Sequence, residues 1–385
     1  MMSPSFNYQA LKWTNELWNE MESYWNNLGE DHELDLIKWL RRFANEMIFM
    51  IFRIATGVKN DAIASYYNII ILKNNNNNSL NEKENVKLKE SYDFVESIEE
   101  LFIFSLLINS SVIIFHLFVE KRIEIENSPL DQPLRHDMLT SFITANTPRD
   151  INVVKHADSD LLRPMTDKKI FGNILDTMLG GTDTTANLIC FVVYYLEHYP
   201  EIKKRLRHEF DTVLGEDLTK PITYKDLDKL EYCDAVIKEV FRCSPIFIIN
   251  GRINSQSDKV GGYDWPEGTQ FQMLFSAIIK HKDYWTEPEK FDPDRFYRVE
   301  ESDKYLLEKK NMKTTFPMFG GGIRICPGRK LAIIELKCLL FLIYRKYDIE
   351  LVDMNSPLKY KRDFLNLCKE LIVKISHENF KKLNI

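Results

Sequence analysis

Three observations predict a mainly α fold. Apolar residues recur at helical spacing over most of the chain. One apolar segment, bounded by Thr166 and Pro200, is long enough to cross a whole domain as a single helix. Strand-like signals are confined to residues 246–274. Together they describe one domain over residues 1–385, helical with small sheets.

In chain order, residues 8–28 carry Trp13, Trp18 and Trp25 on an amphipathic helical pattern, and residues 32–56 repeat the pattern up to Gly57. The asparagine run at 73–79, with the charged stretch that follows to about Glu90, reads as a solvated loop. Residues 101–119 form the most apolar run, long enough to consider as a membrane span. Asn109, Ser110, Ser111 and His116 interrupt it, so an interfacial helix pair touching a membrane surface competes with a true span. A short helix is predicted at 137–145. The long helix follows, with Thr166 as N-cap and Pro200 as its stop, at roughly 50 Å by the 1.5 Å rise per residue. Pro200 opens another helix at its first turn, and Gly215 closes it. A further helix is predicted from 227 to 243, ending before Pro245. Strands are predicted at 246–253, 259–263 and 269–274, the last after the turn at Pro266 to Gly268.

Composition excludes several function classes. The 385 residues carry a net charge of −6, which gives no electrostatic footprint for nucleic acid. Six cysteines (Cys190, Cys233, Cys243, Cys326, Cys338 and Cys368) are scattered with no C-x-x-C pair. That spacing argues against a disulfide framework or a zinc site and fits a reducing compartment. The N-terminus holds no apolar core of a signal peptide or anchor.

One stretch carries most of the chemistry: Phe319-Gly-Gly-Gly322-Ile-Arg324-Ile-Cys326-Pro-Gly328. Its glycines let backbone approach a flat ligand closely. A helix-forming run after it points free N–H groups back at the sulfur and favours negative charge there. Arg324 offers an always-charged donor fork for an anionic group. The bland alternative is a buried structural cysteine on a turn.

Within the long helix stands Gly180-Gly181-Thr182-Asp183-Thr184-Thr185. Two mid-helix glycines cost about 1 kcal/mol each against alanine, so something must compensate. A close helix–helix contact is one reading. The other uses the Thr184 hydroxyl, which can bond back to the Gly180 carbonyl and open the helix locally beside an acid–alcohol pair. Glu239 and Arg242 lie three apart on one helical face and can pair. Phe291-Asp-Pro293-Asp-Arg295-Phe296 follows downstream, and Arg252 sits in the strand region, where a surface role is the plain reading.

Taken together, these strings resemble the cytochrome P450 superfamily. Residues 319–328 match its F-x-x-G-x-R-x-C-x-G motif, residues 180–185 its A/G-G-x-D/E-T-T/S segment, and Glu239, Arg242 and Arg295 its E-x-x-R and P-E-R-F patterns. The resemblance implies the P450 fold, with haem b as cofactor and Cys326 as its axial thiolate, the metal ligand. Phe319, Gly322 and Gly328 would shape the haem loop, and Arg324 and Arg252 would meet the propionates. Asp183 and Thr184 would organise proton delivery, and Gly180 and Gly181 an O2 groove. Glu239, Arg242 and Arg295 would form a buried structural network. The implied function is a monooxygenase acting on a small apolar organic substrate and O2. Electrons would come from an NADPH-dependent flavoprotein reductase at the cytosolic face of the endoplasmic reticulum membrane.

The match is close over residues 131–385 and weak over 1–130. The family's W-x-x-x-R motif has no counterpart, because no arginine stands four residues after Trp13, Trp18 or Trp25. The resemblance therefore implies a truncated N-terminus, lacking the anchor, the first helices and the first sheet. Two rival readings follow: a non-catalytic remnant with weak or no haem binding that acts as a scaffold, and a superfamily member that isomerises or dehydrates.

Overall fold

The computed structural model describes residues 4–29, 32–56, 61–72, 82–100, 118–130, 132–134, 138–150, 164–215, 220–298, 304–362 and 365–377. They are mainly helical, with small antiparallel sheets. The chain falls into two compact units, one of residues 1–11, 29–37 and 187–385, the other of residues 12–28 and 38–186.

Among the described residues, the regular elements of the second unit are all helices. It holds most of α1 (Pro4–Leu28) and α2 (Leu36–Thr56), then α3 (Ala62–Tyr66), which runs into a π-helical turn (Tyr67–Leu72). After these come α4 (Glu82–Glu100), α5 (118–127), α6 (Met138–Thr144) and the first part of α7 (Asp167–His198). Aromatic packing joins the first three. Trp18 and Trp25 of α1 are buried edge-to-face at 5.6 Å, Trp25 meets Trp39 of α2 at 6.2 Å, and Trp39 meets Tyr66 at 5.3 Å. Such T-shaped pairs each add about 1 kcal/mol beyond the area they bury.

The predicted loop up to Glu90 is in fact helical from Glu82. Its lysines and glutamates are strong helix formers, and tertiary contacts select that state. Lys87 pairs with Asp61 at 2.5 Å. The buried guanidinium of Arg42 lies 4.2 Å from the Tyr66 ring and 5.2 Å from the Tyr92 ring of α4, and bonds Glu96 at 2.5 Å. Residues 73–81 and 101–117, and with them most of the predicted asparagine loop and apolar run, lie outside the described residues. Among the described residues, no helix is long and apolar enough to cross a membrane.

The first unit carries the sheets. The helix predicted from residue 32 begins only at Leu36, because His32–Asp35 is a strand, β1. It pairs antiparallel with β9 (Ile372–His377), Leu34 opposite Val373, and β6 (Tyr347–Leu351) flanks the other side of β9. The Leu36 N–H donates to the Leu371 carbonyl at 2.9 Å. Sheet partners brought from the far end of the chain outweigh one turn of local helical pattern. Behind the sheet's chain connection, α13 (Arg329–Lys346) is buried along most of its length. Its Phe341 packs edge-to-face on Phe210 of α8 (Pro200–Leu214) at 5.4 Å, and Gly215 closes α8 with φ 75°.

The single helix predicted at 227–243 is two: α9 (Tyr224–Lys229) and α10 (Glu231–Cys243). Glu209 of α8 explains the break. Its carboxylate accepts the Tyr232 and Cys233 N–H groups at 2.6 and 2.9 Å, which caps a fresh helix start. Strand β2 (Ile249–Ile253) pairs with β5 (Gln270–Leu274). The strand predicted at 259–263 is a hairpin instead, β3 (Asp258–Val260) and β4 (Tyr263–Trp265). Gly261 and Gly262, at φ 62° and 87°, supply the left-handed backbone of its turn. Short helices α11 (Phe275–Ile278) and α12 (Leu306–Thr315) and a final hairpin, β7 (Lys359–Arg362) with β8 (Asn366–Glu370), complete the unit.

Candidate functional site

Cys326 sits on a turn that closes on itself. Its N–H donates to the Phe319 carbonyl at 2.8 Å. Gly320 and Gly322, at φ 70° and 64°, take the left-handed conformations that the turn needs, and Gly322–Arg324 form one 3-10 turn. Gly328 then starts α13, accepting the Ala332 N–H at 2.9 Å. The turn presents its side chains outward. Cys326 is exposed, whereas Cys243 is half-buried and the other four cysteines are buried. Ile323 is fully exposed at 101%, and Arg324 beside it is exposed as well.

A soft sulfur, an apolar residue and a guanidinium thus share one surface. That donor set fits haem, whose iron takes a thiolate and whose carboxylates take a cation. Among the described residues, no cluster of three or more His, Cys, Asp or Glu could hold a metal by itself. Haem iron needs one protein ligand only. Alongside the turn lies a groove of about 420 Å³, lined in part by Phe319, Lys238, Arg329, Lys330 and Lys337 together with Asp228 and Asp234.

A buried ionic network stands behind this turn. Arg242 grips Glu239 through Nε and Nη2 at 2.8 and 2.9 Å. Arg295 Nε meets Glu239 Oε1 at 3.3 Å, and its Nη1 meets Glu308 of α12 at 2.8 Å. All four side chains are at most 1% exposed. Burial pushes the Glu239 carboxyl up, and Arg242 and Arg295 pull it back towards the charged form. The guanidiniums also bind the carbonyls of Glu287, Pro288 and Lys290, and Glu239 accepts the Asp292 N–H. The network therefore ties α10 to the 286–296 loop and to α12. Phe316, at the start of the cysteine turn, packs on Phe241, Trp285 and Phe296 around it.

Arg252 lies on β2, half-buried, opposite Phe271. Its Nη1 donates to Asn250 Oδ1 at 2.6 Å and to the Gly251 carbonyl at 2.8 Å, which holds the guanidinium along its own strand.

In the other unit, the Thr184 hydroxyl donates to the Gly180 carbonyl at 2.6 Å. The helix stays α-helical through this bond, so the expected local opening is absent: a serine or threonine back-bond can be absorbed by a slight bend. The two glycines differ. A Cβ on Gly180 would meet nothing within 4 Å, while one on Gly181 would collide with the Ile48 side chain of α2. Gly181 is a close helix–helix contact, which leaves any groove to Gly180. Asp183 is engaged by Arg41 of α2, Nε to Oδ1 at 2.9 Å, with the two side chains 4% and 14% exposed.

Sequence reasoning missed Arg41 and Glu308. The one available signal was a pair of arginines inside the apolar pattern Leu-Ile-Lys-Trp-Leu-Arg-Arg-Phe, residues 36–43, which demands buried partners. Glu308 stands in a Glu- and Lys-rich stretch that reads as any solvated helix face.

Comparison with known proteins agrees with this geometry. A profile of the family described as Cytochrome P450 matches residues 1–375. Cytochrome P450 4V2 of Homo sapiens is 34% identical over 239 residues, 60% of this chain and 42% of that protein. Cytochrome P450 4d2 of Drosophila melanogaster is 31% identical over 186 residues, 48% of this chain and 36% of that one. Cytochrome P450 3A25 of Mus musculus is 26% identical over 275 residues, 71% of this chain and 51% of that one. The chain thus spans between 36% and 51% of the length of these relatives. Among solved structures, the heme domain of cytochrome P450DA superposes with a TM-score of 0.68 at 18% identity, over 97% of this chain and 73% of that one.

Proposed function

The chain belongs to the cytochrome P450 family, and from that premise we propose that it works as a haem-thiolate monooxygenase. One atom of O2 enters an apolar organic substrate and the other leaves as water. The observation that carries this reading is the exposed Cys326 thiol on a self-closed glycine turn at the head of α13. Haem b, when bound there, supplies the O2 activation, favoured by electron donation from the thiolate.

The chain's own residues bind, orient and move protons. Cys326 ligates the iron, and Phe319, Gly322 and Gly328 keep the turn's shape. Arg324 and Arg252 hold the haem carboxylates; the local bonds of Arg252 use Nη1 and leave its Nε and Nη2 for that task. Asp183 and Thr184 pass protons, the Thr184 hydroxyl being fixed by the Gly180 carbonyl. Glu239, Arg242 and Arg295 are structural. Electrons come from an NADPH-dependent flavoprotein reductase at the cytosolic face of the endoplasmic reticulum membrane, an assignment that rests on family likeness. The exposed Arg329 and Lys330 at the groove beside Phe319 support docking of an acidic donor, whereas Lys238 and Lys337 are paired with Asp234.

The test is spectroscopic. Expressed protein reconstituted with haem, reduced and exposed to CO, gives a red-shifted Soret band. Cys326→Ala loses that band while its far-UV circular dichroism is unchanged. Failure to take up haem, or an identical band in Cys326→Ala, overturns the proposal. Turnover under labelled O2 then separates oxygen insertion from isomerisation or dehydration.

A further inference from the structure

Three successive residues of α7 meet one face of α2. Arg41, Asn45 and Ile48 stand four and three apart, the spacing of a single helical face. Arg41 bonds Asp183 at 2.9 Å, Asn45 Nδ2 meets Thr182 Oγ1 at 3.5 Å, and the Ile48 side chain fills the space beside Gly181. Glycine at 181 is what lets the two helices close to that distance. The face is anchored from behind, since Arg42 is clamped by Tyr66, Tyr92 and Glu96, and Glu46 accepts the Ala62 N–H.

We propose that Arg41 is a positioning residue for Asp183: its buried guanidinium fixes the carboxylate through Oδ1, so that proton delivery proceeds from one orientation of the acid. The proposal rests on the monooxygenase reading for its functional consequence, and on the α2–α7 seam for its geometry. A carboxylate on a helix otherwise samples several rotamers. A charge-assisted bond from a 4% exposed arginine removes that freedom, whereas a solvated surface pair would not.

The test has two arms. The first needs no haem. In urea unfolding of the chain as isolated, Arg41→Met, Asp183→Asn and the double variant form a cycle. The expected coupling is about tenfold in the unfolding equilibrium constant, and a strictly additive cycle overturns the proposal. The second arm uses haem-loaded protein with reductase, NADPH and ethoxycoumarin as an apolar probe, and reads hydrogen peroxide released per O2 consumed. Arg41→Met raises that ratio severalfold, the change is absent in the Asp183→Asn background, and Arg41→Lys recovers at least half of the loss. An Arg41→Met enzyme as tightly coupled as wild type, or an effect undiminished in Asp183→Asn, refutes it. If Asp183→Asn itself leaves coupling intact, the proton-relay reading fails and Arg41 loses its role with it. If wild type takes up no haem, the monooxygenase reading fails alone, and the unfolding cycle still decides whether Arg41 holds Asp183.

Discussion

Glu239 satisfies two arginines and one backbone N–H with a single carboxylate, wholly out of water. Arg242 and Arg295 depend on it in turn, because a guanidinium does not shed its proton to escape burial. Glu239→Gln should therefore strand positive charge in the interior and cost about 3–5 kcal/mol, read as a lowered urea midpoint. A loss below about 1 kcal/mol would mean that water or a neighbouring carboxylate had taken over, and the network would not be the internal tie it looks to be. Glu308 should behave likewise towards Arg295 alone, with a smaller loss, since it bears on one guanidinium rather than two.

At the scale of elements, the α2–α7 seam turns on one missing side chain. Alanine at 181 would gain about 1 kcal/mol of helix propensity but collide with Ile48, and overpacking costs about 1–3 kcal/mol. Gly181→Ala should be neutral to destabilising in the wild-type background and stabilising by about 1 kcal/mol once Ile48→Ala opens the space. Thermal denaturation of the four proteins checks that reversal of sign, and a gain of equal size in both backgrounds would show the seam to be loose. Such cross-element matches explain what could be read in advance. Thr166, Pro200 and Gly215 mark their helix ends through local backbone chemistry, and the sequence shows them. His32–Asp35 became a strand because its partner lies some 340 residues on, and the Glu82 helix formed because Tyr92 and Glu96 reach Arg42. Cys326, Thr184 and the Glu239–Arg242 pair were legible for the same local reason. Arg41 and Glu308 acquire their meaning only from distant partners.

For the molecule as a whole, buried acids bear on stability against pH, and Glu335 is the one whose shift has burial as its single cause. Glu335 on α13 is 2% exposed, its Oε1 has no hydrogen-bond partner among the described residues, and burial alone raises its pKa from 4.5 to about 8. The unfolded chain gives up this proton near pH 4.5 and the folded chain keeps it to about pH 8. Between those values the folded state binds the extra proton, so the contribution of this one group to stability is fully present below pH 4.5 and falls as pH rises. At about 1.4 kcal/mol per pH unit, the loss by pH 7 is about 3 kcal/mol. Glu335→Gln should flatten that slope in urea midpoints measured from pH 5 to pH 7.5; an unchanged slope would assign it to other groups. The ionic network behind the cysteine turn bears on the whole chain in another way, through the order of assembly. Glu239 and Arg242 are three residues apart and meet within one helix, and Arg295 and Glu308 are thirteen apart, but the bond between the two pairs spans 56. Closing that longer loop costs more chain entropy than either short one. Each pair should therefore form before their union, and the link that steadies the cysteine turn is then expected to slow unfolding more than it speeds folding, which the two limbs of a urea chevron of Glu308→Gln would check.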